Sequence, residues 1–170
     1  MDLNYFKEIR VLDAGMGQEL LARGLVTKGT LWSATSLIDK KYYHLVIDAH
    51  LASIRAGAEI ILTNTFTTRK VRMKQNQVID RFNFANKKAC ELALKAKELS
   101  KKNILIAGSL PAQNDTYEVD KRDKKIIEKD FFDQAKILSP HVDFFYLDVL
   151  SSGREIEIAL NVSQKLNKLV

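Results

Sequence analysis

The sequence predicts an α/β fold of about four βα units, and three observations carry that expectation. Short apolar runs alternate with stretches whose apolar residues recur at three- and four-residue spacing, the pattern of strands followed by helices. The runs are rich in branched residues, as strands covered on both faces are. Each run also ends in polar residues: Asp13, then Thr63-Asn64-Thr65, then Ser109, then Asp148.

The first strand is expected over residues 9–13 (IRVLD), followed by Gly15, Met16, Gly17 and a short helix over 18–23 that Gly24 stops. A longer helix follows over about 41–56, with Leu45, Ala49, Ala52 and Ala56 on one face. Gly57 sits where a left-handed C-terminal stop belongs. Residues 59–65 (EIILTNT) make the second strand. The helix after it, about 78–99, carries Phe82, Ala85, Ala89, Leu92, Ala96 and Leu99 at helical spacing. Residues 103–109 (NILIAGS) make the third strand, and a polar loop through Asp123 leads to a helix near 126–138, marked by Ile127, Phe131, Ala135 and Leu138. Residues 142–148 (VDFFYLD) make the fourth strand. Ser151-Ser152-Gly153 opens a last helix with Ser152 as its N-cap. A βαβ unit takes about 30 residues and a complete (β/α)8 TIM-type barrel roughly 250. The 170 residues therefore hold four units as one domain, half of such a barrel.

Composition narrows the function classes. Hydrophobic residues are 46% and charged residues 28%, and no run approaches the ~20 apolar residues of a membrane span. The N-terminus has no basic head followed by an apolar stretch, so no secretion signal is expected. A single cysteine, Cys90, rules out an internal disulfide framework and fits a reducing compartment, giving a cytoplasmic expectation. The net charge is +6, but the lysines and arginines lie in short scattered groups with no aromatic residues interleaved as stacking platforms. A lysine-rich solvated surface is expected, with no nucleic acid and no membrane as partner.

In parallel α/β folds functional groups gather at the carboxyl ends of the strands. Any one of the four polar strand ends is explained by capping the next loop or helix; four in succession point to one shared polar site. Asp13 and Asp148 suit an ammonium group, held by charge-assisted hydrogen bonds. An acid/base pair is the other use of two carboxylates, and nothing in the sequence indicates shifted pKa values. The glycines around Met16 let backbone N–H groups approach a ligand closely.

Several segments are similar to one family. Residues 12–20, Leu-Asp-Ala-Gly-Met-Gly-Gln-Glu-Leu, resemble the opening motif of the homocysteine S-methyltransferase (homocysteine-binding domain) family, usually Asp-Gly-Gly-Met-Gly with Glu-Leu after it. Leu31-Trp32-Ser33-Ala34 resembles its Trp-Ser segment, and residues 50–58 (HLASIRAGA) followed by Thr63-Asn64-Thr65-Phe66 resemble its most recognisable stretch. Gly108-Ser109-Leu110 and residues 142–148 fall where the family has its third and fourth strand ends. The resemblance spans nearly the whole chain, as the N-terminal half of a homocysteine-binding barrel domain over residues 1–170.

The resemblance implies methyl transfer to the sulfur of homocysteine, giving methionine, with a zinc ion held by three cysteines. A thiol of pKa roughly 8.5 is mostly protonated at neutral pH, and a coordinating metal removes that proton. It implies that Asp13 and Asp148 bind the substrate's amino group, with Gly15, Met16, Thr63, Asn64, Thr65 and Ser109 lining the same mouth. There are departures. Ala14 replaces the second family glycine, and Asp148-Val149 stands where the family usually has Glu followed by Thr or Tyr. The zinc cysteines fall in the family's second half, which these residues do not reach. Cys90 sits among helix residues, where a buried small hydrophobe is the expectation, and His44, His50 and His141 have no metal spacing with it. Zinc is therefore expected in the family but not on this chain, no catalytic residue is assigned, and the methyl donor is open.

Two readings follow. In one, the chain is inactive alone and works with a separately encoded second half-barrel. Half-barrels expose strand edges that seek partners, and a two-fold homodimer would regenerate eight strands without a three-cysteine site. In the other, it is a non-catalytic remnant that binds an amino acid or a partner chain.

Overall fold

Ile60, Ile61, Leu62, Leu105, Ile106, Ala107, Phe144 and Phe145 alternate between two faces of one sheet, as the two-residue period of a strand requires. The computed structural model describes residues 3–13 and 15–170. Ala14, the replaced family glycine, lies outside them, as do Met1 and Asp2. In chain order the regular elements are α1 (Met16–Ala22), α2 (Thr35–Ile38), α3 (Tyr43–Ala56), β1 (Ile60–Leu62), α4 (Lys70–Gln75), α5 (Phe82–Ser100), β2 (Leu105–Pro111), α6 (Lys124–Leu138), β3 (Phe144–Asp148) and α7 (Gly153–Lys165), with short 3-10 turns between some of them. The fold is mixed α/β, with one three-stranded parallel sheet in the order β1-β2-β3. Register runs from Ile60 opposite Leu105 to Pro111 opposite Asp148.

The expected first strand is corrected. Residues 9–13 form no named strand; Leu12 makes a single parallel bridge to Ile60. Val11 O accepts from Glu59 N and Ile60 N, and Asp13 N donates to Ile60 O. Before that point the chain leaves the ladder: Ile9 is 95% exposed, and Arg10 turns away to Tyr5 O, Glu8 and Glu59. The other edge also differs from expectation. Phe145 N donates to Leu169 O, so the residues after α7 lie along β3 rather than leaving its edge bare.

Helix ends follow their sequence signals. Gly57 closes α3 with φ +113°, a conformation that favours glycine. Asp123 accepts from Lys125 N at the start of α6, and Ser152 accepts from Glu155 N at the start of α7. The short α2 and α4 carry too few turns for a periodic signal and were not expected. Ile61, Ile106, Leu110 and Phe145 pack against Cys90 and Ala93 of α5, Phe131 and Ala135 of α6, and Ile158 and Val162 of α7. Burying a side chain of the size of Phe131 contributes about 1.5–3 kcal/mol. The opposite face, with Ile60, Ala107 and Phe144, is met by Tyr5 and the Phe6 ring, whose centroid is 5.3 Å from that of Phe144. Among the described residues no helix is long and apolar enough to cross a membrane.

Candidate functional site

Parallel pairing puts the carboxyl ends of β1, β2 and β3 on one side of the sheet, and the Leu12 bridge brings Asp13 to the same side. A cavity of about 610 Å³ opens there. Seven of the eight residues expected from the sequence line it: Asp13, Gly15, Met16, Thr63, Asn64, Ser109 and Asp148. Thr65 does not. It is fully buried, and its hydroxyl donates to Ser109 O at 2.7 Å, tying the end of β1 to β2.

The single hydroxyl proton of Thr65 is spent on Ser109 O, so in the 2.9 Å contact between Thr63 and Thr65 the donor is Thr63. Thr63 Oγ1 in turn accepts from Ser109 N at 3.1 Å. Asn64 Nδ2 reaches Ser33 O and Ser36 Oγ, at 3.3 and 3.2 Å, fixing the Trp-Ser segment against the loop after β1. Thr67 Oγ1 accepts from Ala34 N and meets the Ser33 hydroxyl, both at 3.1 Å.

The two carboxylates are held differently. Asp13 Oδ2 accepts from Leu62 N at 3.1 Å, and the buried His50 ring lies behind it with Nδ1 at 3.6 Å. Neither His50 nitrogen has a hydrogen-bond partner among the described residues, so the ring packs as the floor under Asp13. Asp148 Oδ2 accepts from the Ser109 hydroxyl at 2.7 Å. Burial pushes the Asp148 carboxyl above its ordinary range, the Ser109 hydrogen bond pulls it back, and the charge of Asp13 pushes it up again. A cation between the two would relieve both the repulsion and the lost hydration, which makes this corner fit an ammonium group.

The two glycines beside Met16 play different parts. A Cβ on Gly17 would stand 2.8 Å from Trp32 Cε2 and Cζ2, so Gly17 lets the indole close one wall. Trp32 itself has φ +46°. Gly15 has ordinary backbone angles, and an added Cβ would meet nothing within 4 Å; the space beside it is the cavity. Residues the sequence reading missed also reach the lining: Arg69, Arg72, Thr116, Tyr117 and Tyr146. Tyr146 sits in β3 two residues before Asp148, and strand alternation was the available signal for it. Arg69 and Thr116 meet only through tertiary folding, with Arg69 Nη2 donating to Thr116 Oγ1 at 3.0 Å.

The residues present do not fit a zinc–thiolate centre. Cys90 is buried in α5 among apolar neighbours, and burial, then the charge of Glu91, push its thiol up to about 12. Among the described residues no group of three or more His, Cys, Asp or Glu is placed to hold a metal ion.

The family model for homocysteine S-methyltransferase matches residues 10–170. Among solved structures, the homocysteine methyltransferase MmuM from Escherichia coli is similar in its metallated and its oxidized forms. Each has a TM-score of 0.84 and 25% sequence identity, over 98% of this chain and 62% of that one. Its apo form gives a TM-score of 0.69 and 24% identity, over 98% of this chain and 59% of that one. The chain thus spans less than two thirds of the length of these structures. No curated protein matches it by sequence.

Proposed function

Because this chain belongs to the homocysteine S-methyltransferase family, we propose that its cavity binds homocysteine, with the ammonium group between Asp13 and Asp148. The single observation that carries this reading is the pair of carboxylates at one mouth, Asp148 with its proton affinity raised by burial and by Asp13. Thr63 and Ser109 set the distance between the β1 and β2 ends, and Gly15 leaves room for the ligand's backbone carbon.

We further propose that the sheet, with its sequential strand order, is a segment of (β/α)8 barrel wall. Methyl transfer to give methionine needs a deprotonated thiol, and zinc on three cysteines supplies it in the family. One cysteine, buried away from the cavity, cannot make that set. These 170 residues accordingly hold the acceptor amino acid and do not transfer a methyl group by themselves; the thiolate ligands have to come from polypeptide outside them. A second reading, an amino-acid-binding remnant without catalysis, is favoured by the same uncoupling of an intact amine corner from any thiolate set. Zinc bound only in the presence of a cysteine-bearing partner supports the first reading, and zinc bound in no setting supports the second.

Calorimetric titration of the purified chain with reduced homocysteine tests the proposal. Asp148→Asn is expected to weaken binding about ten- to a hundred-fold, the worth of a hydrogen bond to a charged group. Binding indifferent to that change, or measurable methyl transfer by the chain alone, contradicts it.

A further inference from the structure

The cavity contains a second charged feature that the amine corner does not use. Arg69 stands at the N-terminal end of α4, is 1% exposed and lines the cavity together with Arg72. Beyond its bond to Thr116, its Cζ lies 5.4 Å from the centroid of the Phe66 ring. Its Nε and Nη1 have no hydrogen-bond partner among the described residues, and neither has Arg72 Nε. Burial, then the nearby Arg72, push the Arg69 pKa down to about 10, with Asp115 acting the other way; it remains charged at neutral pH.

Buried guanidinium groups are normally paired, because the desolvation penalty is otherwise uncompensated. Two other half-buried cations near this side of the fold obey the rule: Lys70 is paired with Asp130 and Asp133, and Arg122 with Asp120 and Asp130. Arg69 breaks it while facing a cavity. Each two-pronged edge of its guanidinium pairs Nη2, now on the Thr116 hydroxyl, with an unpartnered nitrogen. A carboxylate that displaces that hydroxyl gains two parallel charge-assisted bonds.

We propose that Arg69, with Arg72 beside it, forms a carboxylate-binding subsite of this cavity. The proposal rests on the reading of the cavity as an amino-acid site. The carboxylate belongs either to the acceptor amino acid, then held by both of its charges, or to a methyl donor bound alongside it, and the arms of the test separate the two sources.

The test titrates the full 170-residue chain, Arg69→Met and Arg69→Lys with homocysteine and with 3-aminopropane-1-thiol, which keeps the amine and thiol but lacks the carboxylate. A second pair, S-methylmethionine and its methyl ester, makes the same comparison for a donor. The unsubstituted chain is expected to prefer homocysteine over the aminothiol by about ten- to a hundred-fold. Arg69→Met is expected to erase that preference while binding the aminothiol as before, and Arg69→Lys to keep part of it. A preference for S-methylmethionine over its ester that vanishes in Arg69→Met, with the homocysteine preference intact, assigns the subsite to the donor. Arg69→Met weakening both members of each pair equally, or neither, overturns the subsite and leaves the amine reading standing. Homocysteine binding that depends on Arg69 but not on Asp148 removes the amine reading and keeps the subsite. No binding of any of the four compounds removes both. Comparison within each pair cancels any general loss of folding, and thermal unfolding of Arg69→Lys supplies a second folded reference.

Discussion

At Asp148, burial of one carboxylate beside another gives a pH dependence of definite sign. Its folded-state pKa lies above the ordinary 3.8, through burial and Asp13, so the folded chain holds that proton more tightly than the unfolded one. Its contribution to stability is therefore present in acid and declines as pH rises from 3.8 through the raised folded value. Asp148→Asn is expected to flatten that part of the profile, measured by urea unfolding between about pH 4 and neutrality; an unchanged slope contradicts the assigned cause. Amine binding runs the opposite way, strengthening over the same window, because an ammonium ligand favours the ionised carboxylate. Two of the residues that matter here were legible as types and positions. Asp13 and Asp148 end apolar runs, and no packing need explains a carboxylate at those places. Gly17 was legible only as a glycine; that it makes room for the Trp32 ring needed the 2.8 Å approach to be seen. Arg69 was illegible. Arg69 opens the basic group 69–74, which reads as solvated surface, and its burial depends on a loop more than 40 residues away that brings Thr116 over it.

Between elements, the loop after β1 is held by a buried polar network. Gln134 of α6 donates from Nε2 toward Thr65 O at 3.0 Å, Asn86 Oδ1 at 3.0 Å and Thr68 Oγ1 at 3.2 Å, and its Oε1 accepts from Gln113 Nε2 at 2.9 Å. One side chain thus joins α5, α6 and the loops after β1 and β2. Gln134→Leu fills similar volume but strands those partners, and is expected to cost about 2–3 kcal/mol in urea unfolding; a neutral substitution contradicts the network's role. Strands and long helices were legible because their periods persist for several residues. The 9–13 segment failed because its alternation looks like a strand, while only Val11 to Asp13 stay on β1 and Arg10 follows its charged partners outward. Thr65 failed for a related reason. The polar triplet after β1 reads as a uniform mouth, yet the chain turns there, so Thr63 and Asn64 line the cavity and Thr65 points to the Ser109 carbonyl.

For the whole molecule, three consecutive parallel strands in sequential order, flanked by Val11 to Asp13 on one edge and Leu169 on the other, place every strand terminus around one cavity. That placement makes a local motif at residues 12–17 and another at 63–66 parts of one site, although nearly fifty residues separate them. Of the lysines and arginines behind the charge of +6, Arg69 and Arg72 line that cavity, while lysines such as Lys88 and Lys95 are spent on surface ion pairs with Glu91 and Glu98. The central claim is that the Asp13 and Asp148 corner reads an amino group, and deletion of that group from the ligand tests it most directly. Titration of the chain with homocysteine and with 4-mercaptobutanoate, which lacks only the amine, is expected to show homocysteine bound more tightly by about ten- to a hundred-fold. That difference should collapse in Asp13→Asn and in Asp148→Asn. Equal affinity of the unsubstituted chain for the two ligands would contradict the account.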